Sequence, residues 1–238
     1  MSQLRVAAAV LALVVVLAGC RTTVETAVLV ESATDATLQI AVMMEGDAAS
    51  ALTQDGRLEQ LRELIEQRTG TAAQVSRRQG TVTVSAAVTY DRLVGSSGLT
   101  GVTALRLDPV PENGQTTVTV DVAAPQLLEQ VLADTVAQRD DPEPFLAAVR
   151  GSTWVQVVID MPRGVDHAEI LAGDLPVDVT HEQVRVVQPL SEFGDGRFTV
   201  TGTPGGQQWW RNTGTLIVGV LAAVGGLVAV AAARRRAP

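Results

Sequence analysis

The sequence predicts an α+β fold: an antiparallel, β-rich external domain, barrel-like or built on a curved sheet, with two main helices, an N-terminal signal peptide and one C-terminal transmembrane helix. Three observations predict it. Strand-like segments, two of them with clear apolar alternation, recur from residue 24 to residue 200, two segments of helical periodicity interrupt them, and a long apolar run occupies each end of the chain.

Taken in order, Met1 to Arg5 is a short basic stretch, and Val6 to Gly19 is an unbroken apolar run ending at Cys20. That run is too short to span a bilayer and suits the apolar region of a signal peptide. Leu17-Ala18-Gly19-Cys20 resembles a bacterial lipobox, which implies cleavage before Cys20 and a diacylglycerol on its thiol. Two acyl chains, at about 0.8 kcal/mol per buried methylene, hold a protein stably on a membrane.

Thr37 to Met44 alternates, with Leu38, Ile40, Val42 and Met44 on one face. Asp55 can cap a helix over 57–69, whose apolar stripe is Leu58, Leu61, Leu64 and Ile65 and which Gly70 closes. Gln74 to Gln79 and Thr81 to Tyr90 form a hairpin through Gly80. A second hairpin joins 104–107 to 116–122 through Pro111-Glu112-Asn113-Gly114. Pro125 opens a second helix with a wide aliphatic face that includes Leu128, Val131 and Leu132, and Asp140-Asp141-Pro142 breaks it. A short helix then covers 143–150. Trp154 to Met161 is a strand ending in the turn Pro162-Arg163-Gly164, and 165–200 is strand-like and turn-rich.

After a short stretch the chain reaches Trp209-Trp210-Arg211, the uncharged run 216–233 and Arg234-Arg235-Arg236. Eighteen helical residues reach about 27 Å, close to a hydrocarbon core of about 30 Å. Tryptophans before the run fit an interfacial belt, and the arginines after it fit the positive-inside rule. The expected organisation is 1–19 signal peptide, 20–200 external domain, 201–211 short linker and interfacial anchor, 212–233 transmembrane helix and 234–238 cytoplasmic basic tail. About eight linker residues reach at most about 28 Å, so the domain is expected to stay at the membrane surface.

Charge narrows the partners. All 18 basic residues are Arg, and the absence of Lys excludes Schiff-base, Lys-base and P-loop chemistry. Five arginines flank the terminal runs, leaving 13 against 26 acids in the external part. Such a surface repels nucleic acid phosphates. A single Cys permits no intramolecular disulfide.

Lipobox, external antiparallel domain with two helices, Pro-Arg-Gly turn, Trp-Trp and terminal Arg cluster together resemble the LppM-like actinobacterial lipoproteins. The resemblance rests on architecture rather than on a sharp motif. It implies a β-barrel-like ectodomain and binding of envelope glycolipids of the phosphatidylinositol-mannoside type, and it carries no catalytic residue over.

Enzyme chemistry finds little support in the residues. His167 and His181, beside Asp166, Glu169 and Glu182, match no compact zinc spacing. Gly95-Ser96-Ser97-Gly98 lacks the spacing of a nucleophile elbow, and Asp140, Asp141 and Glu143 lack the oxygen alternation of an EF-hand. No metal or cofactor is expected. Aromatics are scarce outside the membrane flank, so a pocket would have aliphatic walls, which suit acyl chains better than stacked sugars or bases. The expected function is a non-enzymatic cell-membrane lipoprotein, external on the outer side with its C-terminus cytoplasmic, binding or presenting a lipid or glycolipid. The alternative is a scaffold for envelope proteins. Expected site residues are Cys20 for lipidation, Arg77, Arg78 and Arg163 for lipid phosphate, Leu128, Val131 and Leu132 for an acyl wall, and Trp209, Trp210, Arg234, Arg235 and Arg236 as membrane anchor.

Overall fold

Strand-forming sequence dominates the molecule. The computed structural model describes residues 21–46, 49–50, 53, 57–89, 100–126, 129 and 142–205. Among them are eleven strands: β1 Thr22–Val30, β2 Ala36–Glu45, β3 Gln74–Arg78, β4 Thr81–Thr89, β5 Val102–Val110, β6 Gln115–Val122, β7 Thr153–Asp160, β8 Val165–Ala172, β9 Val177–Val179, β10 Gln183–Pro189 and β11 Gly196–Gly202. Two helices accompany them, α1 Arg57–Thr69 and α2 Pro142–Ser152. The chain divides into a unit of residues 1–204 and one of 205–238, of which only Gly205 is described.

The strands form a seven-stranded sheet of order β3-β4-β2-β1-β7-β10-β9 and a four-stranded sheet of order β5-β6-β11-β8. Every pairing is antiparallel except β1 with β7. Period-two alternation sends one side of most strands into a shared core, while β3 is exposed along its length. Val24, Val28 and Val30 of β1 meet Leu38, Ile40, Val42 and Met44 of β2, Val82, Val84, Ala86 and Val88 of β4, and Val155, Val157 and Ile159 of β7. From the smaller sheet come Val118, Val120, Val122, Phe198 and Val200. Helix α1 packs on β4 and adds Leu61 and Ile65, while α2 adds Val149.

Local chemistry explains the boundaries. Gly70 ends α1 with φ of 67°, and its amide donates to the Glu66 carbonyl at 2.8 Å. The β3–β4 connection has two central residues with positive φ, Gln79 at 47° and Gly80 at 81°, the turn that matches the twist of a hairpin.

The α+β expectation is corrected in two respects. The molecule is predominantly β: two sheets build its core, and the helices only cover part of it. The sheets are separate, with edge strands β3, β9, β5 and β8 rather than a closed barrel, and the larger one is mixed because β1 and β7 run parallel. Second, no helix among the described residues is long and apolar enough to cross a membrane. The run 212–233, for which sequence predicts one, lies outside the described residues. So does most of the expected helix after Pro125; the second described helix is α2, which continues through Gly151 to Ser152.

Candidate functional site

Strand direction gives the seven-stranded sheet two distinct ends. At the end where β1 begins, the register lines up Arg77, Val82, Met44, Thr22 and Thr153 in one row across five strands. The next row outward holds Arg78, Thr81 and Glu45, and the Glu45 amide donates to the Arg21 carbonyl at 3.1 Å. Cys20 adjoins Arg21 in sequence, so the expected lipid attachment leaves from this end; Cys20 itself lies outside the described residues.

Three polar atoms are buried here without a hydrogen-bond partner: Thr22 Oγ1, Thr153 Oγ1 and Gln188 Oε1. Both threonines are fully enclosed, at 2% and 0% exposure. Thr22 and Thr153 are register partners on β1 and β7, and both share parity with the core-facing valines of their strands. Gln188 stands opposite Val155 on β10, one diagonal from Thr153, which places its Cα about 7–8 Å away. Leaving a buried polar group unpaired costs about 1–3 kcal/mol, so three in neighbouring positions set this end apart. Beside them the Arg150 guanidinium pairs with Glu129 at 3.2 Å.

On the opposite face of the same strands, the Arg21 guanidinium carbon lies 5.0 Å from the centroid of the Trp154 ring. Arg21 is exposed and Trp154 half-buried. Further along this face lies a second polar group. Glu25 is buried at 5% exposure, and burial pushes its carboxyl pKa up against the opposing pull of Arg185. Burial likewise lifts Asp160 to about 6, aided by the charge of Glu182 and opposed by Gln183 and Arg185. Arg185 donates to Gln183 Oε1 at 3.1 Å, and Gln183 donates to Asp160 Oδ2 at 3.4 Å. Arg185 Nε is buried without a partner.

The expected site residues therefore separate. Arg77 and Arg78 lie on exposed β3 at the Cys20 end. Arg163 sits at the other end, in the turn after β7, where its amide donates to the Thr203 carbonyl at 3.2 Å. Leu128, Val131, Leu132, Trp209, Trp210, Arg234, Arg235 and Arg236 lie outside the described residues, as do Ser96, Ser97, Asp140 and Asp141. His167 and His181 are exposed, and no group of three or more His, Cys, Asp or Glu side chains converges among the described residues. Sequence reading missed Thr22, Thr153 and Gln188. The available signal was a threonine beginning each of two valine-rich strands at core parity, which becomes meaningful only when the strands are neighbours.

Among solved structures similar to the chain, one covers most of it. It is the NMR structure of the folded domain of LppM from Mycobacterium tuberculosis, at 13% identity, covering 79% of this chain and 92% of that one with a TM-score of 0.40. No protein-family model and no curated protein matches the chain.

Proposed function

We propose that the chain is a non-enzymatic lipoprotein of the cell envelope, anchored through Cys20 at the outer face of the cytoplasmic membrane, whose domain takes up a lipid with a hydroxylated headgroup. The observation that carries this reading is the trio Thr22, Thr153 and Gln188. Two hydroxyls and an amide oxygen, all buried and unpaired, offer acceptors and donors to an alcohol-rich group. They border a core of Val, Leu, Ile and Met in which the buried aromatics among the described residues are Phe193 and Phe198, a chemistry suited to acyl chains. A headgroup of the phosphatidylinositol-mannoside type has this chemistry.

Native mass spectrometry of the full chain, extracted from membranes in detergent, tests it. Wild-type protein is expected to retain a bound lipid beyond its own acyl groups. The double variant Thr22→Val, Thr153→Val is expected to lose it while melting no lower, because apolar replacements remove the unpaired hydroxyls. Wild type that carries no lipid sinks the reading.

A second reading, a scaffold for an envelope complex, draws support from the far edges of the two sheets. Ile170 and Leu171 of β8 and Val179 of β9 are 44%, 50% and 50% exposed on adjacent edge strands. Edge strands with apolar side chains are places where another protein can pair. Cross-linking of the full chain in membranes, with loss of a partner on Leu171→Asp, tests that reading.

A further inference from the structure

We propose that the end of the seven-stranded sheet where β1 begins is a membrane-docking edge, with Arg21 and Trp154 seated in the headgroup layer and Arg77 and Arg78 pairing with the phosphates of anionic phospholipids. The proposal rests on the lipoprotein reading above and deepens it by saying which part of the domain meets the bilayer.

Four observations converge. Trp154 is the one tryptophan among the described residues, and it is half-buried rather than packed into the core. Indole is at home at the boundary of apolar and wet phases, where its ring meets acyl carbons and its N–H meets water or phosphate. Arg21 lies over that ring at 5.0 Å, a geometry that strengthens as water is withdrawn. A guanidinium held this way still presents its edge to a phosphate oxygen.

Register supplies the other two cations. Arg78 shares a row with Thr81 and Glu45, and the Glu45 amide is bonded to Arg21. Arg78 is thus three strand spacings from Arg21, about 14 Å, a span of a few lipid headgroups. Arg77 stands beside it at the exposed hairpin tip. Glu45, between them, is the one carboxylate in that row.

Finally, the chain itself gives direction. The first described residue is Arg21, and the acylated Cys20 of the lipoprotein reading adjoins it. A tether of one residue cannot reach around a domain whose β1 alone is about 30 Å long. The end that carries Arg21 must therefore lie against whatever surface holds the lipid.

The test uses the full chain with Trp209→Phe and Trp210→Phe, so that Trp154 is the sole fluorophore. It is reconstituted into vesicles of phosphatidylcholine and phosphatidylglycerol, with or without bromine on the acyl chains. Intact mass of the same sample reports whether Cys20 is acylated. Brominated lipid is expected to quench Trp154 about twofold. Arg21→Glu with Arg78→Glu is expected to abolish most of that quenching, while Arg163→Glu, at the opposite end, leaves it unchanged. An acylated protein whose Trp154 is not quenched overturns the docking edge alone. Equal loss on Arg163→Glu also overturns it, since the effect is then net charge rather than place. A chain found unacylated overturns the lipoprotein reading, and the proposal with it.

Discussion

The two ends of the seven-stranded sheet share the same strands and carry opposite chemistry. Where β1 begins stand Arg21, Arg77, Arg78 and Trp154, with three unpaired polar atoms enclosed beneath them. Where β1 ends stand Glu31 and Asp35 in the turn to β2, Asp160 closing β7 and Glu182 just before β10, with Arg163 nearby. The described residues also begin at the first end, with Arg21, and come to their last at the second, where the Thr203 amide donates to the Gly164 carbonyl at 2.9 Å. Net charge therefore describes this protein poorly. An acidic chain repels polyanions at long range, yet keeps one cationic, aromatic end that can work at contact distance.

The largest effect belongs to the acidic end. Gly202 seats β11 against the turn after β7, and a Cβ there would overlap the Gly164 carbonyl oxygen and press on Met161. Gly202→Ala is expected to cost about 3 kcal/mol in urea unfolding, because the backbone of Gly164 and Val165 that it meets has little room to give. At the basic end Gly80→Ala meets nothing within 4 Å. Its cost is only the strain of positive φ, roughly 1 kcal/mol. Equal costs at both ends would break the comparison.

Next in size is the membrane term. Arg77→Glu with Arg78→Glu is expected to weaken binding to phosphatidylglycerol vesicles by about tenfold or more, at roughly 1 kcal/mol per arginine near an anionic surface. The weakening should shrink as salt is raised. Sedimentation with vesicles over a salt series measures both.

The third prediction concerns Asp160. Its pKa rises from 3.8 to about 6 on folding, because burial penalises the carboxylate. Below pH 3.8 both states hold the proton and folding carries no penalty. As pH climbs from 3.8 towards 6 the unfolded chain releases its proton first, so stability falls, and above 6 the loss is complete. Asp160→Asn keeps an oxygen for Gln183 and removes the titration. It is expected to gain roughly 1 kcal/mol at pH 7, allowing for solvent screening, and to flatten the profile between pH 4 and 6. Buried Glu25 acts in the same direction and remains in the variant. A profile that Asp160→Asn leaves unchanged would place the titration elsewhere.

The smallest effect is at the basic hairpin tip. Gln79 holds φ of 47° with a side chain, where glycine is at ease. Gln79→Gly is expected to stabilise by about 0.5 kcal/mol in thermal unfolding without touching Arg77 or Arg78. A loss of stability would mean that the Gln79 side chain has a partner that matters.

Much of the fold was legible residue by residue. Helix α1 runs over the predicted 57–69, and the turns at Gly80 and 111–114 connect the hairpins where turn chemistry places them. The alternation in β2 and β4 marks their buried faces correctly. The site was legible only in fragments. Arg77, Arg78 and Arg163 read alike as exposed turn arginines, yet the first two share the end where the chain enters and the third sits beside its exit. Thr22 and Thr153 are ordinary strand threonines until β1 and β7 are laid side by side.

By itself the sequence determined which residues alternate, where the chain turns, that no lysine chemistry is available, and that Cys20 follows an apolar leader. These are local properties, written in neighbours a few residues apart. Tertiary structure alone decided that β1 pairs in parallel with β7, more than a hundred residues away, that Glu25 is buried, and that strands split into two sheets with one cationic end. Period two says which face a side chain takes but not which strand lies beside it. Partner choice comes from packing summed over the whole core, and the pairing of Thr22 with Thr153 exists only there.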